Sequence, residues 1–283
     1  MFRFFRRRSG ELSLEQLRKI SSPRKLREVF RRRQYAGPTA GLAPGYVQAN
    51  LVVLPKALAA DFEQFCRLNA QACPLLEVTS PGDPEPKQSA PGADLRHDLP
   101  RYRVYRRGVQ VAETLEIAPW WEEDLVAFLL GCSFTFERAL AQAGLVPRHV
   151  ELGRNVPMYR TNRPCQPAGP FQGPLVVSMR PYRPEQLEQV RQITACYPRM
   201  HGGPIHTGAP AALGIEDLSR PDYGEPVPVH EGEVPVFWAC GVTPQAALEQ
   251  ARCELTITHS PGCMFITDWR DEQFYEPPED RAG

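Results

Sequence analysis

Apolar residues fall in short runs along this chain, and each run is closed by glycine, proline or a small polar residue. The run at residues 47–54 (VQANLVVL) reads as a buried strand, with shorter strands at 75–78 and 175–179. Residues 102–111 alternate and then bend at Arg107-Gly108, which predicts a hairpin. Helical spacing marks residues 55–72, with Phe62, Phe65, Cys66 and Leu68 on one side, and 184–196, with Leu187, Val190 and Ile193 inward. Ser13 and Ser22-Pro23 offer caps for two short helices between residues 11 and 34. The longest helix is predicted over 120–145, because its segment 125–136 (LVAFLLGCSFTF) is apolar nearly all round, as in a helix buried at a domain centre.

The stretch 234–268 carries the most functional promise. An apolar run (Val234, Val236, Phe237, Trp238) ends at Ala239-Cys240-Gly241. Thr243 is placed as N-cap of a helix with Pro244 in its first position, running to about Ala251. Two further apolar segments break at Thr258-His259-Ser260-Pro261-Gly262 and at Asp268. In open α/β sheets ligands bind beyond the carboxyl ends of strands, next to helix N-termini that favour anions. Two such ends occur here within one short stretch.

Composition bounds the class. The 283 residues are 42% hydrophobic and 23% charged, as in a globular domain or two, with no apolar run long enough for a membrane span. Thirty prolines and 21 glycines lie between the apolar segments and imply a loop-rich fold, with 80–91 (SPGDPEPKQSAP) a mobile loop. Net charge is zero, yet residues 1–33 hold twelve Arg or Lys against Glu11, Glu15 and Glu28. A basic helix packed on an acidic body and a nucleic-acid arm are the two readings, and no aromatic stacking pattern supports the second. The start MFRFFRRRSG has a transit-peptide flavour that Glu11 and a low serine content interrupt, and it lacks the apolar core of a secretory signal. Eight cysteines form no CxxC pair, so reduced, mostly buried thiols and a cytoplasmic setting are expected.

No HExxH, GxSxG or nucleotide-loop pattern occurs. His201 and His206 flank a Gly-Gly-Pro bend and could converge on a metal or simply bond loop carbonyls; no metal site is assigned. His259, at a strand end, is the acid–base candidate, with a structural loop histidine as the alternative. Cys240 precedes a helix N-terminus, where a thiolate is favoured, or it merely fills a tight bend. Ser133 and Glu137 lie one helical turn apart, and a carboxylate there faces a polar cavity or pairs with an arginine. Arg160 and Arg180 could each clamp a carboxylate or form a structural salt bridge.

A series of motifs resembles the hydro-lyase family that includes D-glutamate cyclase. It comprises 41–50 (GLAPGYVQAN), 128–137 (FLLGCSFTFE), 155–162 (NVPMYRTN), 176–181 (VVSMRP), 201–206 (HGGPIH), 234–245 (VPVFWACGVTPQ) and 258–262 (THSPG). The resemblance covers nearly all of the chain after about residue 20. It implies an α/β fold: a three-layer main domain (1–150 and 225–283) with a smaller inserted two-layer α–β sandwich (151–224). It implies cyclisation of D-glutamate to 5-oxo-D-proline and water, or dehydration of another small hydroxy or amino acid, without a cofactor; a non-catalytic small-carboxylate binding protein is the alternative from another class. A small carboxylate is the expected partner, and a homo-oligomer is left open. In this reading Arg160 and Arg180 hold carboxylates, His259 or Glu137 moves protons, and the amides at Cys240 and Gly241 stabilise an oxyanion. Asn155, Tyr159, Ser133, Thr243, His201 and His206 are the further substrate contacts.

Overall fold

The computed structural model describes residues 10–277. The arginine-rich start through Ser9, with its transit-peptide reading, lies outside them. Helix α1 (Leu14–Arg18) opens with Ser13 and Gln16 bonding each other's backbone amides, and α2 (Pro23–Arg31) is capped by Ser22 with Pro23 in first position. Strand β1 (Tyr46–Pro55), helix α3 (Lys56–Leu68) and strand β2 (Leu75–Val78) follow. The hairpin of β3 (Tyr102–Arg106) and β4 (Val109–Thr114) turns through Arg107 and Gly108, both at positive φ (49° and 78°), as a tight two-residue turn demands.

Strand β5 (Leu125–Leu130) and helix α4 (Phe134–Gln142) replace the single long helix predicted over 120–145, and helix α5 (Arg148–Glu151) follows. The correction has a clear cause. All six residues of β5 are buried because the strand lies between β2 and β1 with both faces covered. Such a strand shows no alternation, and a short apolar run cannot be told from a buried helix by periodicity. Strands β6 (Met158–Pro164) and β7 (Pro174–Tyr182), helix α6 (Leu187–Ala195) and strands β8 (His206–Thr207) and β9 (Val234–Ala239) come next. Helix α7 (Thr243–Ala251), strands β10 (Thr256–His259) and β11 (Phe265–Arg270) and a short 3-10 turn (Asp271–Phe274) follow.

Every strand pairing is antiparallel. The larger sheet runs β2-β5-β1-β10-β3-β4, with β11 also paired to β1; the smaller runs β6-β7-β9-β8. On the larger sheet, Val52, Leu54, Val126, Phe128 and Leu130 face α3 and α7 through Phe62, Phe65, Ala247 and Leu248. The opposite face (Val47, Ala49, Leu51, Val53, Ala127, Leu129) is covered by the segment holding Ala90, Leu95 and Leu99. That gives the layered α/β body. The 80–91 segment beneath it is tied down by Glu77, whose carboxylate accepts from the Gln88 and Ser89 amides at 2.8 and 2.9 Å.

Two expectations about organisation change. Strand β9 pairs with β7 in the smaller sheet, while β10 pairs with β1 and β3 in the larger. The promising stretch 234–268 is therefore a bridge between sheets and not one strand–helix–strand unit. The smaller sheet also draws α4 onto its face, where Phe136 and Leu140 pack with Trp238, Val236, Tyr182 and Val190. Residues 134–142 and 234–239, placed with the main domain on sequence, pack with the smaller sheet.

The basic N-terminal segment packs on acidic partners. Arg27 is buried and grips Asp268 through two nitrogens (2.9 and 3.0 Å), Arg31 grips Asp98 (2.6 and 2.7 Å), and Arg33 pairs with Glu116.

Candidate functional site

Asn50 lies in a largely apolar strand, two residues beyond Gln48, and on the face toward α3 and α7. Its amide is buried, and a buried amide must be bonded. The Nδ2 group donates to the Gly131 carbonyl at 2.8 Å, while Oδ1 faces Nε2 of His259 at 3.0 Å. Gly131 opens the turn Gly131-Cys132-Ser133 between β5 and α4. Gly241, in the turn Cys240-Gly241-Val242 between β9 and α7, presses on the same amide: a Cβ there would lie 2.6 Å from Nδ2. Asn50 thus joins two strand-to-helix turns, one from each sheet, and the strand end at His259.

Glycine is required at both turns by close approach. A Cβ on Gly131 would meet the Arg199 carbonyl oxygen at 2.1 Å, because the loop leading to His201 packs directly on it. His201 itself adopts a left-handed conformation (φ 76°), held by its Nδ1 contact with the Gln71 carbonyl at 2.9 Å. Burial pushes its pKa down to about 4, and it stays neutral.

The two turns carry matching cysteines. The Phe134 amide at the start of α4 would favour a thiolate at Cys132, and the Gly241 and Val242 amides at the start of α7 one at Cys240. Amides at a helix start favour anions, but burial is the larger effect and pushes Cys132 to about 12 and Cys240 to about 11. Both are neutral thiols, contrary to the thiolate considered for Cys240. All eight cysteines are free, and only Cys240 is more than slightly exposed.

Beside these turns lies a charged network. Arg180 on β7 is 0% exposed and donates to Ser178 Oγ (2.9 Å), Ser133 Oγ (3.1 Å) and the Glu137 carboxylate. Its guanidinium sits between Phe136 and Trp238, 5.2 and 5.1 Å from the ring centroids, with Nε unpartnered among the described residues. Glu137 also accepts from Ser133 (3.0 Å) and meets His149 Nε2 at 3.3 Å. Burial alone would raise the Glu137 carboxyl, but Arg180 and His149 outweigh it and hold the group well below the usual carboxylate range. Glu137 is therefore a fixed anion, not the proton carrier expected of it.

His259 is also buried; burial depresses its pKa to about 4. Of the remaining candidates, several stand apart. Arg160 pairs with Glu249 (2.7 Å) and the Tyr223 hydroxyl (3.1 Å) on the flank of α7, so it does not join Arg180 in a double clamp. Tyr159 lies in the core of the smaller sheet and donates to the Leu218 carbonyl at 2.7 Å. His206 contacts the Ala209 carbonyl at 2.9 Å and packs on Phe237, apart from His201. The Asn155 backbone amide donates to the Glu225 carboxylate (3.1 Å), and its side chain reaches toward Gly262 in the turn after His259. Thr243 does not cap α7, since the helix begins at Thr243 itself. Its hydroxyl exchanges bonds with the Val176 backbone at 3.1 and 3.2 Å, stitching α7 to β7.

Asn50, Ser178 and His149 were missed on sequence. Only Asn50 left a signal, as one of two amides, with Gln48, in an otherwise apolar run. Among the described residues no group of three or more His, Cys, Asp or Glu side chains is arranged to hold a metal. A cleft of about 390 Å³ lies at the other end of β7, lined by Tyr182, Arg183, Arg148, His230 and Glu233 among others.

The arrangement defines an α/β protein with a buried polar centre at the meeting of its two sheets. The chain belongs to the D-glutamate cyclase family: that family's profile matches residues 126–268. A relative from Rubrobacter xylanophilus is 64% identical over 248 residues, 88% of this chain and 96% of its own, and bears the name "Putative hydro-lyase". Relatives so named from Stutzerimonas stutzeri and Bacillus subtilis are 59% and 54% identical, each over 89% of this chain and 95% and 98% of theirs. A nitrogen repressor-like protein from Methanococcus jannaschii aligns over 81% of this chain and 90% of its own, at 10% identity and a TM-score of 0.35. Among the described residues no helix is long and apolar enough to cross a membrane.

Proposed function

We propose that the protein is a lyase that closes D-glutamate into 5-oxo-D-proline with loss of water. The carrying observation is the convergence of two helix N-terminal turns on Asn50, one from each sheet. Two helix starts suit a small dianion, because each offers amide donors and a positive dipole end. Ring closure joins the amine nitrogen to the γ-carboxyl carbon and breaks one carbon–oxygen bond. The two protons that the ammonium nitrogen sheds complete the departing water. Proximity is internal to the substrate, so the protein's task is to fold the chain and stabilise the tetrahedral oxyanion. The amides of Gly241 and Val242 serve that role once substrate moves the Cys240 sulfur aside. His201 and Cys240 are the neutral groups at hand to relay protons. Arg180 supplies positive potential from behind Ser133 and does not clamp the substrate directly. Eight free thiols suit a cytoplasmic enzyme.

The shared hydro-lyase name of the relatives also covers dehydration of a different small hydroxy or amino acid. Incubation of the purified protein with D-glutamate, L-glutamate and a panel of short hydroxy acids decides between them. Formation of 5-oxo-D-proline from D-glutamate supports the cyclase reading. No turnover of D-glutamate, with dehydration of a hydroxy acid, replaces it.

A further inference from the structure

His259 is surrounded by more acceptors than a neutral imidazole can serve. Its Nε2 lies 3.0 Å from Asn50 Oδ1, and its Nδ1 lies 2.8 Å from the Ser260 carbonyl. The Asn50 amide cannot be turned over to help, because Nδ2 is committed to the Gly131 carbonyl at 2.8 Å. The reverse orientation would set two oxygens against each other. A neutral ring has one N–H and an imidazolium has two, so only the charged form satisfies both contacts.

Among the described residues no carboxylate bonds the ring to support that charge. On the β3–β4 side stand Arg101, Arg103 and Glu113, with Glu113 already paired to both arginines at 3.9 and 3.4 Å and accepting from Ser260 Oγ at 2.9 Å. On the β1 side stands the uncharged Asn50. Across it lie the neutral thiols Cys132 and Cys240 and the buried His201, and beyond Ser133 the Glu137–Arg180 pair with His149. The hydrogen-bond geometry asks for a cation that burial disfavours. A small anion at the two turns, one side chain away through Asn50, would supply the missing counter-charge.

We propose that His259 takes up a proton from solvent when an anionic substrate binds at the turns before α4 and α7, coupling substrate affinity to pH through Asn50. His259 is then a positioning residue: as an imidazolium it donates to Asn50 Oδ1 and fixes the amide that holds the two turns together. This inference rests on the anion site proposed above.

Glutarate, an unreactive dicarboxylate of the same length, is the probe. Calorimetric titration at pH 6.5 in two buffers of different ionisation enthalpy reads proton uptake directly. Histidine nitrogen NMR, with His259 assigned through His259→Gln, reads the ring's charge. The expected result is net uptake on binding, a shift of the His259 nitrogens to imidazolium values, and affinity that tightens severalfold between pH 8 and 6.5. His259→Gln should bind glutarate with the uptake reduced to that of the ligand's own carboxylates. Glutarate binding with an unchanged neutral His259 overturns the coupling while leaving the site and the cyclase reading intact. Absence of glutarate binding, with no turnover of D-glutamate, overturns the site itself and this inference with it.

Discussion

Arg180 and Glu137 form an ion pair inside the protein, between a fully buried guanidinium and a carboxylate held on its other oxygen by His149. A buried pair of this kind contributes little relative to an apolar replacement, but removal of one partner strands the other charge. Glu137→Gln should therefore destabilise the fold by about 3–5 kcal/mol in urea unfolding. Arg180→Met combined with Glu137→Gln should recover much of that loss. A double variant no more stable than Glu137→Gln would show that the pair does not act as a unit.

The buried histidines predict a specific acid limb in stability. His201 and His259 have folded pKa values near 4, below the ordinary 6.5. Between those values the unfolded chain binds more protons, so stability rises with pH and is lost as pH falls from about 7 toward 4. The span corresponds to roughly 3 kcal/mol for each histidine. Glu137, whose folded pKa is also lowered, adds a further loss once pH falls through the ordinary carboxylate range. Denaturant midpoints measured at intervals from pH 8 to 4 test this, and His259→Gln should flatten the upper part of the limb. A profile level down to pH 5 would contradict the buried neutral state of both rings.

How far the sequence reached depended on whether each signal was local. The caps at Ser13 and Ser22 and the turn at Arg107-Gly108 were legible because a few adjacent residues decide them. Strand β5 was not, because its all-apolar face reflects neighbours on both sides, which only the sheet supplies. Arg180 and Arg160 looked alike as strand residues before proline or polar loops. The packing of α4 on the smaller sheet buries one, while the other stays on the flank of α7. Glu137 and Ser133 were correctly brought together by helical spacing, yet their meaning changed once His149 and Arg180 were found on the same carboxylate.

The thiols at the two turns should be slow nucleophiles. With Cys240 near pKa 11, only about one thiol in a thousand is ionised at pH 8. Iodoacetamide should modify Cys240 at least 100-fold more slowly than an unperturbed cysteine with a pKa of about 8.5, with the rate rising close to tenfold per pH unit between 8 and 10. Mass-spectrometric mapping of the alkylated peptides provides the rates. Rapid labelling of Cys240 at pH 7 would reveal a thiolate there and overturn its assignment as a neutral proton relay.

Gly241→Ala probes the junction most directly. The backbone at Gly241 is not in a glycine-only conformation, so alanine carries no intrinsic strain at that position. Its methyl group would fall 2.6 Å from Asn50 Nδ2, too close to be accepted without movement. The amide must swing away, breaking its bond to the Gly131 carbonyl and its contact with His259. One lost buried hydrogen bond and its stranded partners cost about 1–3 kcal/mol, which a domain of this size tolerates. The variant should therefore fold, with a melting temperature a few degrees lower, yet lose turnover of D-glutamate by 100-fold or more, since misplacement of about 1 Å at a site can carry that penalty. Arg160→Ala, by contrast, breaks a pair on the flank of α7 and should leave turnover within about threefold of the parent, as expected for an ion pair nearly 40% exposed on each side. Comparable activity in Gly241→Ala and Arg160→Ala would separate the Asn50 junction from the chemistry.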